Sequence, residues 1–348
     1  MISLYNSQKI KIISLFCIIL VLYIHSDFHD YPHEIAGMPF NHLLQDIISG
    51  QIGRCAVPMF YMISGFLFFQ NVHTMGDIWK KMRKRVRTLL VPYVIAALFM
   101  PLFLVVLELF PFTSQFRNNT GPMDSFQQPV CDIVLSLFYK VPGRTSPWAF
   151  HLWFLRDLII IVAVSPLLYT LKKRAGRVIL LLILFSCTYL EIKYIPFYAL
   201  FWFMAGDYML SSLSRFKSFL WVVLFVAVSA LELIFHYEFW TYLRIPIILA
   251  GVVSMWNLYD RFAGEGFDLN RHRWLSLACQ FTFFVYLFHE PTLNIIRKLL
   301  LVPLGATSFG FALDYLLSPW VFVVMFVTLG HCMRKYLPVL YGICVGGR

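Results

Sequence analysis

Charge is what this sequence has least of. Asp, Glu, Lys and Arg together supply 14% of its 348 residues, against 59% hydrophobic residues and a mean hydropathy of +0.72. A soluble domain is about 25% charged and about 45–50% apolar, so a water-exposed globular surface is excluded for most of the chain. Several chemical motifs are missing as well. No G-x-x-x-x-G-K-[ST], G-x-G-x-x-G or H-E-x-x-H occurs, which argues against a nucleotide-driven pump or a zinc protease on the usual patterns. No G-x-S-x-G elbow surrounds Ser64, so it is not promoted to a nucleophile; Ser64-Gly65 reads as a place for close helix packing. The seven cysteines include no C-x-x-C and most sit inside apolar runs. Neither a disulfide framework nor a zinc site is expected, and no other metal. Lys9 and Lys11 precede the first apolar run, but no small-residue cleavage pattern follows, so an uncleaved first span is expected. No charge-rich soluble domain, long low-complexity segment or internal repeat interrupts the apolar runs.

What the chain does have is long hydrophobic runs. A bilayer core of about 30 Å takes about 20 apolar residues in a helix. Ten candidate spans follow, at roughly 9–26, 48–70, 87–110, 150–171, 177–192, 194–212, 216–236, 243–260, 274–291 and 315–334. The expected fold is an all-α membrane bundle of about ten transmembrane helices, one domain over residues 1–348, in a bacterial cytoplasmic (inner) membrane with lipids around it. The net charge of +11 does not indicate nucleic acid, because the basic residues cluster in short loops between apolar runs, as cytoplasmic loops do. Lys80, Lys81, Arg83, Lys84, Arg85 and Arg87 follow span two; Lys172, Lys173, Arg174 and Arg177 follow span four; Arg334 and Lys335 end span ten. Every second loop is basic, which predicts both termini in the cytoplasm. The loop at 27–46 has no Lys or Arg, and Arg297 and Lys298 fall on the side opposite to the rule; an interfacial helix would account for them. The segment 111–149, broken by prolines and glycines, reads as an external loop serving as a lid or substrate contact.

This orientation sends three histidines to the outer face. His25 ends span one beside Ser26 and Asp27, His151 begins span four, and His289 with Glu290 ends span nine. An imidazole there can move protons near neutral pH; the plainer reading is that interfacial histidines are merely tolerated. Arg54, just inside span two, either snorkels outward or contacts an anion. Arg156 and Asp157 follow His151 by five and six positions. They read either as part of a pore-facing cluster or as a pair neutralising itself. The run Lys80 to Arg87 sets topology, with phosphate binding as the alternative, since the guanidinium fork matches two oxygens.

Five segments carry a likeness to a known family. They are Val21-Leu-Tyr-Ile-His25-Ser, Arg54-Cys-Ala-Val-Pro-Met-Phe-Tyr-Met-Ile-Ser-Gly-Phe-Leu-Phe, Lys81-Met-Arg-Lys-Arg-Val-Arg-Thr-Leu-Leu-Val-Pro-Tyr, His151-Leu-Trp-Phe-Leu-Arg-Asp-Leu and Phe283-Phe-Val-Tyr-Leu-Phe-His289-Glu-Pro. In this order and spacing the chain resembles the acyltransferase-3 family of integral membrane acyltransferases over residues 9 to 334. The resemblance implies a ten-span bundle that transfers an acyl group, commonly acetyl from acetyl-CoA, to an envelope polysaccharide or glycolipid. By it His25 matches the catalytic histidine, Arg54 a basic residue that often opens the second-span motif, and Arg83, Arg85 and Arg87 the acyl-CoA side. The position eleven residues before the histidine, basic in many members, is Ser14 here, and Lys11 lies about one turn earlier.

The expected reaction is therefore O-acyl transfer, from acetyl-CoA or another acyl-CoA to a glycan or lipid-linked sugar. His25 acts as general base or carries the acyl group. Asp27 or Glu290 orients its ring, and Arg54 or Arg156 steadies an oxyanion or anchors an anion. His151, Trp153, Arg156, Asp157, His289 and Glu290 are expected at the acceptor. A transporter of polysaccharide or lipid-linked sugar is the alternative reading, and a structural subunit of an envelope assembly a third.

Overall fold

The computed structural model describes residues 2–27, 39–110, 130–139, 141, 146–190, 195–212, 218–235, 240–263 and 266–347, and every regular element among them is helical. Helix α1 (Leu4–Ile24) starts where the Ser3 side chain accepts a hydrogen bond from the Asn6 amide at 3.2 Å, and ends where the His25 amide donates to Val21 at 3.1 Å. Helix α2 (Pro39–Gln45) passes through a π-helical stretch (Asp46–Ile52) and a 3-10 turn (Gly53–Cys55) into α3 (Ala56–Phe69). Helix α4 (Met75–Arg85) passes through a second π-helical stretch (Val86–Leu90) into α5 (Val91–Leu109). Each irregular stretch lies just ahead of a proline, Pro58 or Pro92, whose ring crowds the carbonyl four residues back and offers it no donor.

Then follow α6 (Val130–Phe138), α7 (Trp153–Ala163) behind a 3-10 turn (Phe150–Leu152), α8 (Ser165–Ala175), α9 (Arg177–Cys187), α10 (Phe197–Ser212), α11 (Leu220–Ile234) and α12 (Trp240–Phe262). The chain closes with α13 (Arg273–Phe288), α14 (Thr292–Leu304), α15 (Ser308–Tyr336) and α16 (Pro338–Cys344). All seven cysteines are free.

Among the described residues five helices are long and apolar enough to cross a membrane, or six if the bent pair α7–α8 is one span. The expected span 150–171 is that pair, bent by 62°. Pro166 cannot donate to the Val162 carbonyl, and the Ser165 hydroxyl donates to it instead at 2.7 Å. Helices α9, α11 and α13 have 11, 15 and 16 residues, and a 16-residue helix rises only about 24 Å. The segment 111–149, expected to be an irregular loop, contains α6; residues 111–129, 140 and 142–145 lie outside the described residues.

Helices α3 and α10 pack backbone to backbone. A Cβ on Gly65 would lie 1.8 Å from the Phe203 carbonyl oxygen, and one on Gly206 1.9 Å from that of Met62. At the end of the bundle bearing Lys80–Arg87, here the basic end, Lys9 is fully buried and pairs with Asp260 at 2.6 Å, with the Lys9 ammonium 3.9 Å from the Trp256 ring centre. Tyr5 donates to the other Asp260 oxygen at 2.6 Å. Lys81 caps α3 by donating to the Phe68 and Gln70 carbonyls.

Candidate active site

The opposite end of the bundle gathers the three histidines. The His25 and His289 ring centres are 4.9 Å apart, and those of His151 and His289 4.8 Å. His25 comes from the end of α1, His151 from the 3-10 turn before α7, and His289 from the end of α13. The lateral proximity that topology alone left open is thus present.

The ends of these helices are fixed by polar contacts. Around His25, Ser318 donates to Ser26 at 3.4 Å, Tyr23 donates to the Leu316 carbonyl at 3.1 Å, and Trp320 donates to the Tyr23 oxygen at 2.9 Å. All three tie the last turn of α1 to α15. Asp27 is held through its carbonyl, which accepts from Arg297 at 3.0 Å. Arg297 is buried and also pairs with Asp314 at 3.1 Å. Of the two charges that broke the loop rule, Arg297 is therefore half of an internal ion pair between α14 and α15, and a paired internal charge says nothing about loop orientation. After α13 the chain turns tightly: the Leu293 amide donates to the His289 carbonyl at 2.7 Å, and Thr292 donates to Phe288 at 2.6 Å.

Hydrogen bonding sets the tautomers of two rings. His289 Nδ1 lies 2.7 Å from the Tyr286 carbonyl, and His151 Nε2 lies 3.3 Å from the Leu287 carbonyl. A carbonyl only accepts, so each of these nitrogens carries the proton. The lone pairs lie on His289 Nε2 and His151 Nδ1, both buried and without a hydrogen-bond partner among the described residues. His25 differs. Its side chain is 19% exposed, and its Nδ1 lies 3.8 Å from Glu290 Oε1, a carboxylate only 3% exposed. Asn294 donates to the other Glu290 oxygen at 3.0 Å. His289 and His151 are sealed at 0% and 2% exposure, so His25 is the most accessible ring of the three. Among the described residues no group of three or more His, Cys, Asp or Glu side chains is placed to hold a metal ion.

Two cavities flank the cluster. One, of about 310 Å³, lies between α1, α3, α7 and α13 and is lined by Lys11, Ser14 and Arg85 as well as by Phe60, Phe154 and Tyr286. Tyr286 is already tied to the cluster: its carbonyl accepts from His289, and its hydroxyl donates to the His151 carbonyl at 3.3 Å. The Lys11 alternative to a basic residue at position 14 thus lies in the same wall as Ser14. The second cavity, of about 320 Å³, lies at the histidine end, lined by Ile24, Arg54, Pro58, Trp153, Tyr198 and Arg244 among others. The two share no lining residue.

The remaining expected residues are dispersed. Arg156 donates twice to Asp157 Oδ1, at 3.2 and 3.1 Å, and Tyr61 donates to Asp157 Oδ2 at 3.5 Å. Neither Arg156 nor Asp157 lines either cavity. Arg83 lines a separate groove with Trp79 and Ile159, which Arg85 also reaches, and Arg87 lies against Gly346 and Gly347 near the C-terminus. Arg244, Arg297, Asn294 and Tyr286 were not foreseen. Arg244 and Arg297 had a signal, since a charge inside or beside an apolar run is costly unless it is partnered or functional.

A family model described as "Acyltransferase domain", that of the acyltransferase-3 family, matches residues 10–333. The chain is 24% identical to the succinoglycan biosynthesis protein ExoH of Rhizobium meliloti (strain 1021), over 98% of this chain and 92% of that protein. No solved structure matches. With a match that runs from the basic end of α1, through all three histidines, almost to the end of α15, the chain belongs to the acyltransferase-3 family of integral membrane acyltransferases.

Proposed function

We propose that the protein transfers an acyl group, acetyl in the simplest case, from an acyl-CoA to a hydroxyl of an envelope polysaccharide or glycolipid. One observation carries the reading: a single cavity is lined both by the basic side chains Lys11 and Arg85 and by Tyr286, which hydrogen-bonds to two of the three clustered histidines. Family membership and the relative named for succinoglycan biosynthesis support it. The loop charges favour an orientation with the basic end in the cytoplasm, where acyl-CoA is made, and the histidine end outside, where glycan is assembled. On that orientation all ten apolar runs cross or re-enter the bilayer of the inner membrane, the shorter ones within a locally thinned core.

In this mechanism Lys11 and Arg85 hold phosphates of the donor while its acyl arm lies along the apolar wall toward Tyr286. His25 takes the proton of the acceptor hydroxyl on Nε2, with Glu290 facing Nδ1 and balancing the imidazolium, the logic of a carboxylate–imidazole pair. The hydroxyl oxygen attacks the thioester carbonyl, the carbon–sulfur bond breaks, and the proton passes from His25 to the departing thiolate. The products are an O-acyl ester and free CoA. His151 and His289 pack behind His25 and keep its position.

The test is His25→Ala with expression and membrane insertion confirmed, followed by mass spectrometry of the surface glycan. Loss of the acyl ester with glycan export unchanged supports the reading. Undiminished acylation overturns it, and loss of export instead indicates a transporter.

A further inference from the structure

The cavity at the histidine end has no part in the donor path. Two arginines reach it from different elements: Arg54 from the 3-10 turn before α3 and Arg244 from α12. Asp and Glu are absent from its lining among the described residues. Two aromatic side chains, Trp153 and Tyr198, complete the wall, and Trp153 is 39% exposed. Arg244 is fixed by donating to the Thr188 carbonyl at 3.0 Å and by stacking over Tyr189 at 5.7 Å, and its Nε is buried without a hydrogen-bond partner among the described residues. A guanidinium anchored on one edge with a buried N–H left over is prepared for an oxygen acceptor, because an unmet buried donor is costly.

The position of this cavity gives it a use. Ile24 in its wall is the residue before His25, and Trp153 is two residues beyond His151. A ligand held here touches the chain neighbour of the reacting residue. Along α1, Ser14 in the donor cavity and Ile24 in this one are separated by about 15 Å of helix rise, so the two cavities approach the cluster from opposite ends.

We propose that this cavity is the acceptor subsite and that it selects a saccharide bearing a carboxylate, as a uronic acid does. The carboxylate lies between the Arg54 and Arg244 forks, which match its two oxygens. The sugar ring lies against Trp153 and Tyr198, which offer an apolar face with a polar rim. This rests on the acyl-transfer reading for its purpose, but binding itself does not depend on chemistry.

The test uses the full chain in lipid nanodiscs and two probes, a glucuronic-acid-containing disaccharide and the same disaccharide with its carboxyl reduced to an alcohol. Binding is measured by titration calorimetry without donor. The unmodified protein is expected to prefer the acidic probe by roughly ten-fold or more, the scale of a charge-assisted hydrogen bond. Arg54→Gln and Arg244→Gln are each expected to abolish that preference while leaving the neutral probe's affinity within about two-fold. Arg244→Lys keeps the charge and the contact to Thr188, so it controls for a folding defect and retains part of the preference. Equal binding of both probes by the unmodified protein overturns the proposal. So does a result in which the arginine variants leave acceptor binding unchanged but lose discrimination between a dicarboxylic and a monocarboxylic acyl thioester, since the anion would then belong to the acyl group. Acidic-probe binding with acylation intact in His25→Ala would refute the mechanism while sparing this subsite.

Discussion

Glu290 Oε1 stands 3.8 Å from Nδ1 of His25, and the carboxylate's other oxygen is fixed by Asn294 at 3.0 Å. Glutamate and imidazole come from the two ends of the sequence and meet where α1 and α13 stop. The separation is longer than a hydrogen bond and becomes an ion pair only when the imidazole takes up a proton, and catalytic contacts of this kind tighten when substrate closes the site. Glu290→Gln keeps the side chain's size and an oxygen for Asn294 but removes the charge. The expected result is a fall in kcat of roughly 10²–10⁴-fold, with the donor KM little changed. Steady-state acylation with purified protein checks this, and an unaltered kcat would show that Glu290 has no part in activating His25.

Arg297 does two things at once: it pairs with Asp314 at 3.1 Å and holds the Asp27 carbonyl at 3.0 Å. Arg297→Gln leaves a buried carboxylate without its cation, which costs on the order of 3–5 kcal/mol. The double variant Arg297→Met with Asp314→Leu removes both charges and is expected to recover most of that stability. It is not expected to recover acylation, because the Asp27 carbonyl, just beyond His25, then loses its Arg297 donor. Thermal unfolding in detergent alongside activity separates the two effects. Activity returning together with stability would make Arg297 a purely structural residue.

The cavity proposed to take the donor can be obstructed without touching a histidine. Ser64 lies in its wall between Phe60 and Leu67 and is half-buried. Ser64→Phe fills part of the roughly 310 Å³ with an aromatic ring. The expected outcome is a donor KM raised at least about ten-fold, the effect of losing about 1.4 kcal/mol of binding, with the acidic disaccharide binding as before. Titration of donor and acceptor separately checks it. Equal weakening of both would mean that the cavities are not independent.

What was legible in the sequence follows from where each signal resides. His25, His151 and His289 were visible because each interrupts an apolar run at the same end, and a polar residue at that depth announces itself. Their mutual contact was not visible, since it depends on how α1, α7 and α13 pack laterally. Arg297 looked like a misplaced loop charge because its partner Asp314 lies on the next helix, and pairing across helices leaves no mark on local composition. The unbroken run 150–171 concealed the bend at Val164, although Ser165-Pro166 was there to be read. Lys9 passed for a flanking charge, whereas the fold buries it against Asp260 and Trp256.

The close approach of α3 and α10 offers a test of how the fold maintains the site. Gly65 sits beside Ser64 in the donor-cavity helix, and a Cβ there would lie 1.8 Å from the Phe203 carbonyl oxygen. That neighbour is backbone, so no rotamer change relieves the clash; the helices must separate. Overpacking a core costs typically about 1–3 kcal/mol and occasionally more, and a clash with backbone belongs at the upper end of that range. Gly65→Ala is expected to lower thermal stability and to reduce acylation through a distorted donor cavity. Gly206→Ala meets the Met62 carbonyl at 1.9 Å from the other helix and is expected to behave alike. The double variant distinguishes shared from separate strain. If one displacement of α10 relieves both clashes, the combined loss is clearly less than the sum of the single losses, because contacting sites are not additive. Full additivity in the unfolding midpoints would show that the two glycines are accommodated independently and that α3 and α10 do not move as a packed pair.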